Sequence, residues 1–195
     1  MIGLCGGSGV GKGFVGSMLS SRGSSVIDTD AVYHDLVAQR SECLDELTLA
    51  FGNEILTDSG ALDRVALAAI VFSDPEKHKL LNRISHKHVL NKVRKMIADI
   101  GARGGRYVIV DAPMLFESGF DKECDVTVGV VASDKTRIQR IMRRDGISFE
   151  RAVARISAQM PCDKIADMCD FVINNDGDEN ALSVQIEDLA CKILN

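Results

Sequence analysis

A glycine-rich segment near the start of the chain carries residue types that bind phosphate groups. It reads Gly-Gly-Ser-Gly-Val-Gly-Lys-Gly over residues 6–13, after an apolar run at 1–5 and before a helical pattern at 14–19. In a strand–loop–helix of this kind, glycines let backbone N–H groups turn toward phosphate oxygens, and the helix N-terminus adds a positive field. Lys12 has the spacing to reach the β- and γ-phosphates of a nucleotide. The segment predicts nucleoside triphosphate binding, since an ordinary glycine-rich turn has no use for a lysine there.

The residue after Lys12 departs from this pattern. Serine or threonine is usual at that position because its hydroxyl binds Mg²⁺, but this chain has Gly13. Water is an alternative ligand, since Mg²⁺ normally keeps several waters. We therefore expect phosphate binding with a weakened metal contact.

Acidic residues follow two further apolar runs. Asp111 ends the run at residues 108–110, whereas Asp28 and Asp30 follow Ile27. Next to a phosphate-binding loop, Asp111 suits Mg²⁺ binding, directly or through water, although many strand-end aspartates are turn or cap residues. Of Asp28 and Asp30, one is expected to cap the following helix. The other is expected to face the γ-phosphate, where a carboxylate orients an attacking hydroxyl and accepts its proton.

A basic segment spans residues 133–160. Its local charge is positive although the whole chain has a formal net charge of -5. Three of its arginines share one face of a predicted helix by their spacing, namely Arg137, Arg140 and Arg144. A solvated basic face is the alternative interpretation. The presence of a phosphate-binding loop favours a charge clamp over phosphate groups.

Helical patterns separate the apolar runs along the whole chain. The predicted strands are residues 1–5, 25–27, 107–110, 126–131 and 171–173. This alternation predicts an α/β fold, with a five-stranded parallel sheet flanked by helices and a phosphate site at the carboxyl ends of the strands. The fold class is that of the P-loop NTPases.

Two helical insertions interrupt the predicted core. The first covers residues 31–105, in which Asp74 and Pro75 are typical of a helix start and 65–72 and 79–100 are helical in period. It is long enough to cover a substrate. The second covers residues 133–165 and contains the basic segment, where Ser148 is expected to cap a helix. The remaining residues form the predicted core: 1–30, 106–132 and 166–195, with a last helix over 179–194.

Composition excludes several classes of protein. The chain has 195 residues, 46% hydrophobic and 26% charged, which predicts one folded domain rather than disorder. The net charge of -5 argues against a nucleic-acid partner. No apolar run approaches the ~20 residues of a membrane span, and no basic and apolar leader precedes the loop. Six scattered cysteines predict buried, reduced thiols and a cytoplasmic location.

Taken together, these motifs resemble the dephospho-coenzyme A kinase family nearly from end to end. The Leu-Asp-Arg and Pro-x-Leu-Phe-Glu segments are much more specific to that family than the loop, which many NTPases share. The matching residues are 3–12 (GLCGGSGVGK), 28–30 (DTD), 51–52 (FG), 60–64 (GALDR), 71–75 (VFSDP), 81–82 (LN), His86, 111–117 (DAPMLFE), 143–145 (RRD), Arg155, Gln159 and 170–175 (DFVINN).

The resemblance implies a nucleotide-kinase-like core, a coenzyme A-binding helical region at residues 31–105 and a mobile lid at 133–165. It implies transfer of the ATP γ-phosphate to the ribose 3′-hydroxyl of dephospho-coenzyme A, with Mg²⁺ as cofactor. The products are coenzyme A and ADP, which makes this the final step of coenzyme A biosynthesis. ATP and dephospho-coenzyme A are the implied partners, with no nucleic acid and no membrane.

The resemblance also implies roles for individual residues. Asp30 is the implied base, Lys12, Arg140 and Arg144 contact the phosphates, and Asp111 binds Mg²⁺ through water. The implied ATP site comprises Gly7, Ser8, Gly9, Val10, Gly11, Lys12, Gly13, Phe14 and Asn175, the last near the adenine. The implied acceptor site comprises Asp30, Leu62, Arg64, His86, Phe116 and Glu117.

Two departures from the family pattern leave alternatives open. Gly13 and Phe14 replace hydroxyl residues that usually follow the loop lysine, and Lys87 replaces the proline that usually follows His86. A catalytically impaired nucleotide-binding homologue is therefore one alternative, although Lys12, Asp30 and Asp111 argue against it. A kinase of another nucleoside-type acceptor is the second, because acceptor selectivity depends on the shape of the pocket.

Overall fold

A computed structural model describes residues 1–72 and 74–194. Ser73, in one of the matching segments, and Asn195, at the end of the predicted core, lie outside the described residues. The central feature is a five-stranded sheet in the order β2-β3-β1-β4-β5. Its strands are β1 (Ile2–Cys5), β2 (Ser25–Asp28), β3 (Val108–Asp111), β4 (Val126–Val131) and β5 (Phe171–Asn174).

The register of the sheet brings the carboxyl ends of the central strands level with one another. β1 pairs in parallel with β3 and β4, and Leu4 lies opposite both Asp111 and Val128. β4 pairs in parallel with β5. All of β1 is buried, as expected for a central strand that helices cover on both faces. The five-stranded parallel α/β fold predicted from the sequence is confirmed.

Helices connect the strands in the described part of the chain. They are α1 (Lys12–Ser20), α2 (Thr29–Ala38), α3 (Glu42–Phe51), α4 (Arg64–Val71), α5 (Pro75–Ala102), α6 (Asp134–Asp145), α7 (Phe149–Ser157), α8 (Cys162–Met168) and α9 (Glu179–Ile193), with short 3₁₀ turns at Asn53–Ile55 and Phe120–Glu123.

Side-chain caps set several helix starts. The Asp74 carboxylate accepts hydrogen bonds from the N–H groups of Glu76 and Lys77, so the predicted start at Asp74-Pro75 is confirmed. Ser148 accepts from Arg151 N–H and caps α7, as predicted. α5 begins four residues before the predicted 79–100 and ends two residues after it. Its first turn is polar, and hydrophobic periodicity therefore does not reveal it.

The chain forms two compact units. The first comprises Met1–Ile27 with Ile100–Asn195, and the second comprises Asp28–Asp99. In the first unit, apolar residues of β1, β4 and β5 meet helices α1 and α9 around Leu4, Val130, Leu19 and Ile186. The division predicted from the sequence into core, residues 31–105 and residues 133–165 stays a prediction.

The second unit has a core of its own. Leu47, Ile55, Leu67 and Ile84 are buried together, and they come from α3, a 3₁₀ turn, α4 and α5. A single antiparallel bridge joins Leu56 to Leu62. This unit therefore buries apolar surface of its own.

A smaller cluster supports the basic segment. Ile141 of α6 packs against Ala152 and Ile156 of α7. Gly146 ends α6 with a positive φ of 64°, which allows the tight turn into α7. This helical hairpin fixes the arginine face of α6.

The cysteines are free thiols. Cys5 and Cys43 are buried as predicted, but Cys191 is exposed, so the expectation of general burial is wrong for that residue. Cys191 lies near the end of α9, whose buried face consists of Leu182, Ile186, Leu189 and Ala190. In the described residues, no helix combines the length and apolar character needed to cross a membrane.

Candidate active site

The phosphate-binding loop, defined here as residues 6–11, joins β1 to α1. Gly9 and Gly11 adopt positive φ angles of 81° and 93°, which side chains other than glycine rarely accept. Gly11 forms the N-cap of α1 in a left-handed conformation. The loop therefore needs glycine at these positions for its backbone path, and it delivers Lys12 to the first position of the helix.

Lys12 meets Asp111 at the carboxyl end of the sheet. Its Nζ lies 3.5 Å from Asp111 Oδ1, and the two side chains are only 14% and 16% exposed. Asp111 reaches this position because it ends β3 opposite Leu4 in the neighbouring strand. A cation and a carboxylate thus stand side by side next to the loop, which is the charge arrangement that a nucleotide phosphate and a metal ion require.

Arg140 contacts the phosphate-binding loop from α6. Its guanidinium donates to the carbonyl oxygens of Gly9 at 3.3 Å and Val10 at 3.4 Å, and to Asn175 O at 2.9 Å. These bonds hold loop carbonyls toward α6. Arg140 therefore lies beside the loop, and its predicted role toward phosphate stays a prediction.

Asn175 also braces the loop. It is only 6% exposed, its Nδ2 donates to Val10 O at 2.7 Å, and its backbone N–H donates to Val131 O at 2.8 Å. The Asn175 side chain thus connects the end of β5 to the loop. Its predicted position near adenine stays a prediction.

Arg144 lies in the last turn of α6 and is exposed. Its guanidinium donates to Asp145 at 2.7 and 3.0 Å, and Arg155 of α7 forms a second ion pair with the same carboxylate. The Arg144 hydrogen bond, followed by that of Arg155, lowers the pKa of Asp145 to about 2. The described hydrogen bonds of Arg144 therefore stay within α6, whereas the Arg155 ion pair links α7 to that helix. The predicted phosphate contact of Arg144 stays a prediction.

The remaining member of the arginine face is buried. Arg137 is 1% exposed and donates from Nε to Ser8 O at 3.0 Å. Gln159 accepts from Ser8 N–H at 2.9 Å. The sequence placed Arg137 on a basic face and Gln159 among the matching motifs, yet it assigned neither residue to the loop. No sequence signal distinguishes a buried arginine from its exposed neighbours on the same helix.

Asp28 and Asp30 have different environments in the second unit. Asp28 Oδ1 accepts from the N–H groups of Asp30 at 2.8 Å and Ala31 at 3.1 Å, and therefore caps α2. This confirms that one of the two acids is the cap. The Asp30 side chain is exposed in the first turn of α2, and its role as a base stays a prediction.

The predicted acceptor residues of the second unit have varied surroundings. Arg64 begins α4, and its Nη1 lies 2.8 Å from His34 Nε2. Leu62 is buried in the core of this unit, and its N–H donates to Val37 O. His86 lies half-buried on α5. The structure therefore presents Arg64 at the surface and packs Leu62 in the core of this unit. The predicted acceptor contacts of Leu62, Arg64 and His86 stay predictions.

Lys87, where the family pattern has proline, forms an ion pair with α3. Its Nζ lies 2.8 Å from Glu46 Oε2, and His88 Nε2 lies 2.6 Å from the same oxygen. The hydrogen bonds from Lys87 and His88 lower the pKa of Glu46. A helix interior accommodates lysine more readily than proline, so this departure is compatible with a continuous α5.

Phe116 and Glu117 belong to the turn that follows β3 in the first unit. Phe116 is half-buried, whereas Glu117 is exposed. The turn is held by hydrogen bonds such as Leu115 N–H to Ala112 O at 3.2 Å. The predicted contacts of Phe116 and Glu117 with an acceptor stay predictions.

The start of α1 is where the sequence predicts a weakened metal contact. A Cβ added at Gly13 would meet no heavy atom within 4 Å, and Phe14 is 39% exposed. The described residues contain no group of three or more histidine, cysteine or acidic side chains that could hold a metal ion. A carboxylate at Asp111 and open space at Gly13 are the features that suit a hydrated Mg²⁺ bound to phosphate oxygens.

The fold and the loop define a P-loop protein of the α/β class. A crystal structure of TT1252 from Thermus thermophilus matches with a TM-score of 0.82 and 32% identity, covering 98% of this chain and 96% of that one. Shikimate kinase from Bacteroides thetaiotaomicron matches in fold with a TM-score of 0.56 and 13% identity, covering 100% and 98% of the two chains.

Sequence comparison identifies the family. The family described as dephospho-CoA kinase matches residues 1–181. A relative named dephospho-CoA kinase, from Anaeromyxobacter dehalogenans (strain 2CP-C), is 39% identical over 183 residues, which cover 94% of this chain and 87% of the relative. The chain belongs to the dephospho-CoA kinase family.

Proposed function

We propose that this chain transfers the γ-phosphate of ATP to the ribose 3′-hydroxyl of dephospho-coenzyme A, giving coenzyme A and ADP. This reaction is the final step of coenzyme A biosynthesis. Family membership supports the reaction type, and the pairing of Lys12 with Asp111 beside the loop is the observation that carries it. Phosphoryl transfer requires mainly positioning and charge neutralisation, which such a site provides.

In this proposal, the loop holds the ATP phosphates. Arg140 and Asn175 engage the carbonyl oxygens of Gly9 and Val10, which favours a loop whose N–H groups are available to phosphate oxygens. Lys12 would contact the β- and γ-phosphates. The other proposed ATP contacts are Gly7, Ser8, Gly11, Gly13 and Phe14.

Mg²⁺ is the proposed metal, and the residues fit it. Asp111 supplies the carboxylate oxygen that this ion prefers, and the space at Gly13 admits water in place of the missing hydroxyl. When bound, Mg²⁺ would neutralise charge on the transferring phosphate groups. Asp111 would bind it through water while still pairing with Lys12.

Asp30 is the proposed base. Both acids are exposed, but the Asp28 carboxylate caps α2, so Asp30 is the acid of this pair that has no capping role. It would orient the 3′-hydroxyl and accept its proton. The proposed acceptor contacts are Leu62, Arg64, His86, Phe116 and Glu117. Arg140 and Arg144 would act from a lid at residues 133–165, and residues 31–105 would bind coenzyme A.

The proposal includes a cytoplasmic location and small-molecule partners only. A net charge of -5 disfavours association with nucleic acid. Cysteines that form no disulfide suit a reducing compartment.

A coupled assay of ADP release tests the proposal. Purified protein, ATP and dephospho-coenzyme A should give ADP and coenzyme A in equal amounts, with Mg²⁺ required. Binding of both substrates without ADP release would reject an active kinase. Faster turnover of another nucleoside-type acceptor would reject the proposed substrate.

The role of Asp30 has its own test with a matched control. Asp30→Asn should lower kcat by about 10²–10⁴-fold, the usual contribution of a general base, without loss of folding. Asp35→Asn changes another exposed aspartate of α2 and should be near native. An Asp30→Asn variant with native kcat would remove Asp30 from the base role.

A further inference from the structure

Arg137 is the largest fully buried side chain of the described residues. A buried charge costs free energy unless hydrogen bonds compensate it, so this arginine requires an explanation. Its donors reach four partners, one of which is Cys162 Sγ, 3.4 Å from Nη1. Nε donates to Ser8 O at 3.0 Å, Nη2 to Gln159 Oε1 at 3.1 Å, and Nη1 to Asp134 Oδ1 at 3.2 Å.

Gln159 completes a network around Ser8 of the phosphate-binding loop. Its Oε1 accepts from Ser8 N–H at 2.9 Å, and its Nε2 donates to Ser8 Oγ at 3.2 Å. The Ser8 N–H, carbonyl and hydroxyl groups are therefore each bound by Arg137 or Gln159.

Two glycines of the loop leave space for this network because they have no Cβ atom. A Cβ at Gly7 would clash with the Arg137 guanidinium and would lie 2.9 Å from Gln159 Oε1. A Cβ at Gly9 would lie 2.7 Å from the backbone oxygen of Arg137. All three contacts are closer than real Cβ atoms tolerate. The glycines at these positions thus allow α6 to approach the loop, in addition to any role toward phosphate.

We propose that Arg137 and Gln159 are positioning residues that hold the phosphate-binding loop in its nucleotide-binding conformation. The inference deepens the proposed function, on which the identity of the nucleotide depends. A loop whose backbone is held before the ligand arrives loses less conformational entropy on binding. Both residues act through the Ser8 backbone.

The positive charge of Arg137 also favours nucleotide binding by the loop. Its anionic partner among the described contacts, Asp134, is 72% exposed, so water screens that carboxylate much more than the buried guanidinium. A positive potential therefore persists beneath the loop. It favours a polyphosphate ligand over a neutral one.

The test measures nucleotide affinity separately from turnover. The variants are Arg137→Gln, Arg137→Lys and Gln159→Leu, and Lys135→Gln is the matched control because Lys135 is an exposed cation of the same helix. Calorimetry with ADP gives Kd without any acceptor. Steady-state kinetics give KM for ATP and for dephospho-coenzyme A, and thermal unfolding reports the folded fraction.

We expect Arg137→Gln and Gln159→Leu to raise the Kd for ADP and the KM for ATP by about tenfold or more, since each removes hydrogen bonds of a buried charged network. The KM for dephospho-coenzyme A should stay within about twofold, because the network acts on the loop. Arg137→Lys keeps the charge and should recover part of the ADP affinity. Lys135→Gln should behave as native.

Native ADP affinity in folded Arg137→Gln and Gln159→Leu variants would overturn the proposal. So would a loss of active protein with unchanged Kd and both KM values, which would indicate a general structural role. If Arg137→Gln does not fold, Gln159→Leu and Arg137→Lys decide the question. If the native chain binds ADP but transfers no phosphate, the proposed function fails while this inference is still decided by the ADP affinities.

Discussion

Lys12 Nζ lies 3.5 Å from Asp111 Oδ1, so the first residue of α1 is tied to the last residue of β3. The pair joins the phosphate-binding loop to the neighbouring strand at the carboxyl edge of the sheet. Because both side chains are largely buried, each charge helps to compensate the other. The same two residues are the ones that would face phosphate and metal.

Asp111→Asn should impair catalysis more than folding. The variant keeps the shape of the side chain but removes the charge that compensates Lys12 and that, in the proposed function, holds hydrated Mg²⁺. We expect kcat/KM to fall on the order of a hundredfold, as when an electrostatic contact is removed from an active site, and the Mg²⁺ concentration for half-maximal activity to rise. Rate measurements across a Mg²⁺ titration check this. The exposed Asp167→Asn is the control, and a native metal dependence in Asp111→Asn would contradict the assignment.

Gly13→Ser should restore a metal contact without structural cost. A Cβ at this position meets no heavy atom within 4 Å, and glycine is a poor helix former. We expect the Mg²⁺ concentration for half-maximal activity to fall by about fivefold, which corresponds to one modest polar contact. Gly13→Ala adds the same Cβ without the hydroxyl and should leave the metal dependence unchanged. Equal behaviour of the two variants would show that water already fills the position.

Gly129→Ala should destabilise the first unit. The added Cβ would lie 2.9 Å from Cys169 Sγ and 3.2 Å from Ile165 Cγ2, in the interior beside β4. Overpacking of this kind costs about 1–3 kcal/mol in the free energy of unfolding, which urea denaturation measures. Combining it with Cys169→Ala removes the closest contact and should recover part of the loss. Additive effects of the two substitutions would contradict this account.

Asp145 should stabilise the α6–α7 hairpin in a pH-dependent way. Its pKa is lowered to about 2 by hydrogen bonds from Arg144 and Arg155. A lowered pKa stabilises the folded state above the unfolded pKa of about 3.9, and this contribution is lost as the pH falls toward 2. Asp145→Asn should therefore be less stable than native near neutral pH.

Urea denaturation of native protein and Asp145→Asn at several pH values checks this expectation. The difference in the free energy of unfolding should be constant above about pH 5 and shrink between pH 4 and pH 2. High salt should also reduce it, because the arginines are exposed enough for screening. A difference that persists unchanged at pH 2 would mean that the carboxylate charge is not responsible.

Local patterns in the sequence were sufficient to predict much of the fold. Residues 126–131 were predicted as a strand and are β4 in the structure, because a short apolar run between turn residues is a local signal. The helix caps at Asp74 and Ser148 were equally predictable from the sequence, because each depends on a side chain and backbone N–H groups within three residues. The family motifs added the reaction and its implied residues.

The sequence by itself therefore determined the alternation of strands and helices along the chain, the phosphate-binding loop and the family. Tertiary structure decided which arginine of α6 is buried, because Arg137, Arg140 and Arg144 are equivalent in spacing and differ only in what surrounds them. It also decided that Lys12 meets Asp111, two residues 99 positions apart that the parallel register of β1 and β3 brings together. Helix periodicity and capping are properties of neighbouring residues, whereas burial and ion pairing depend on contacts that exist only once the sheet has formed.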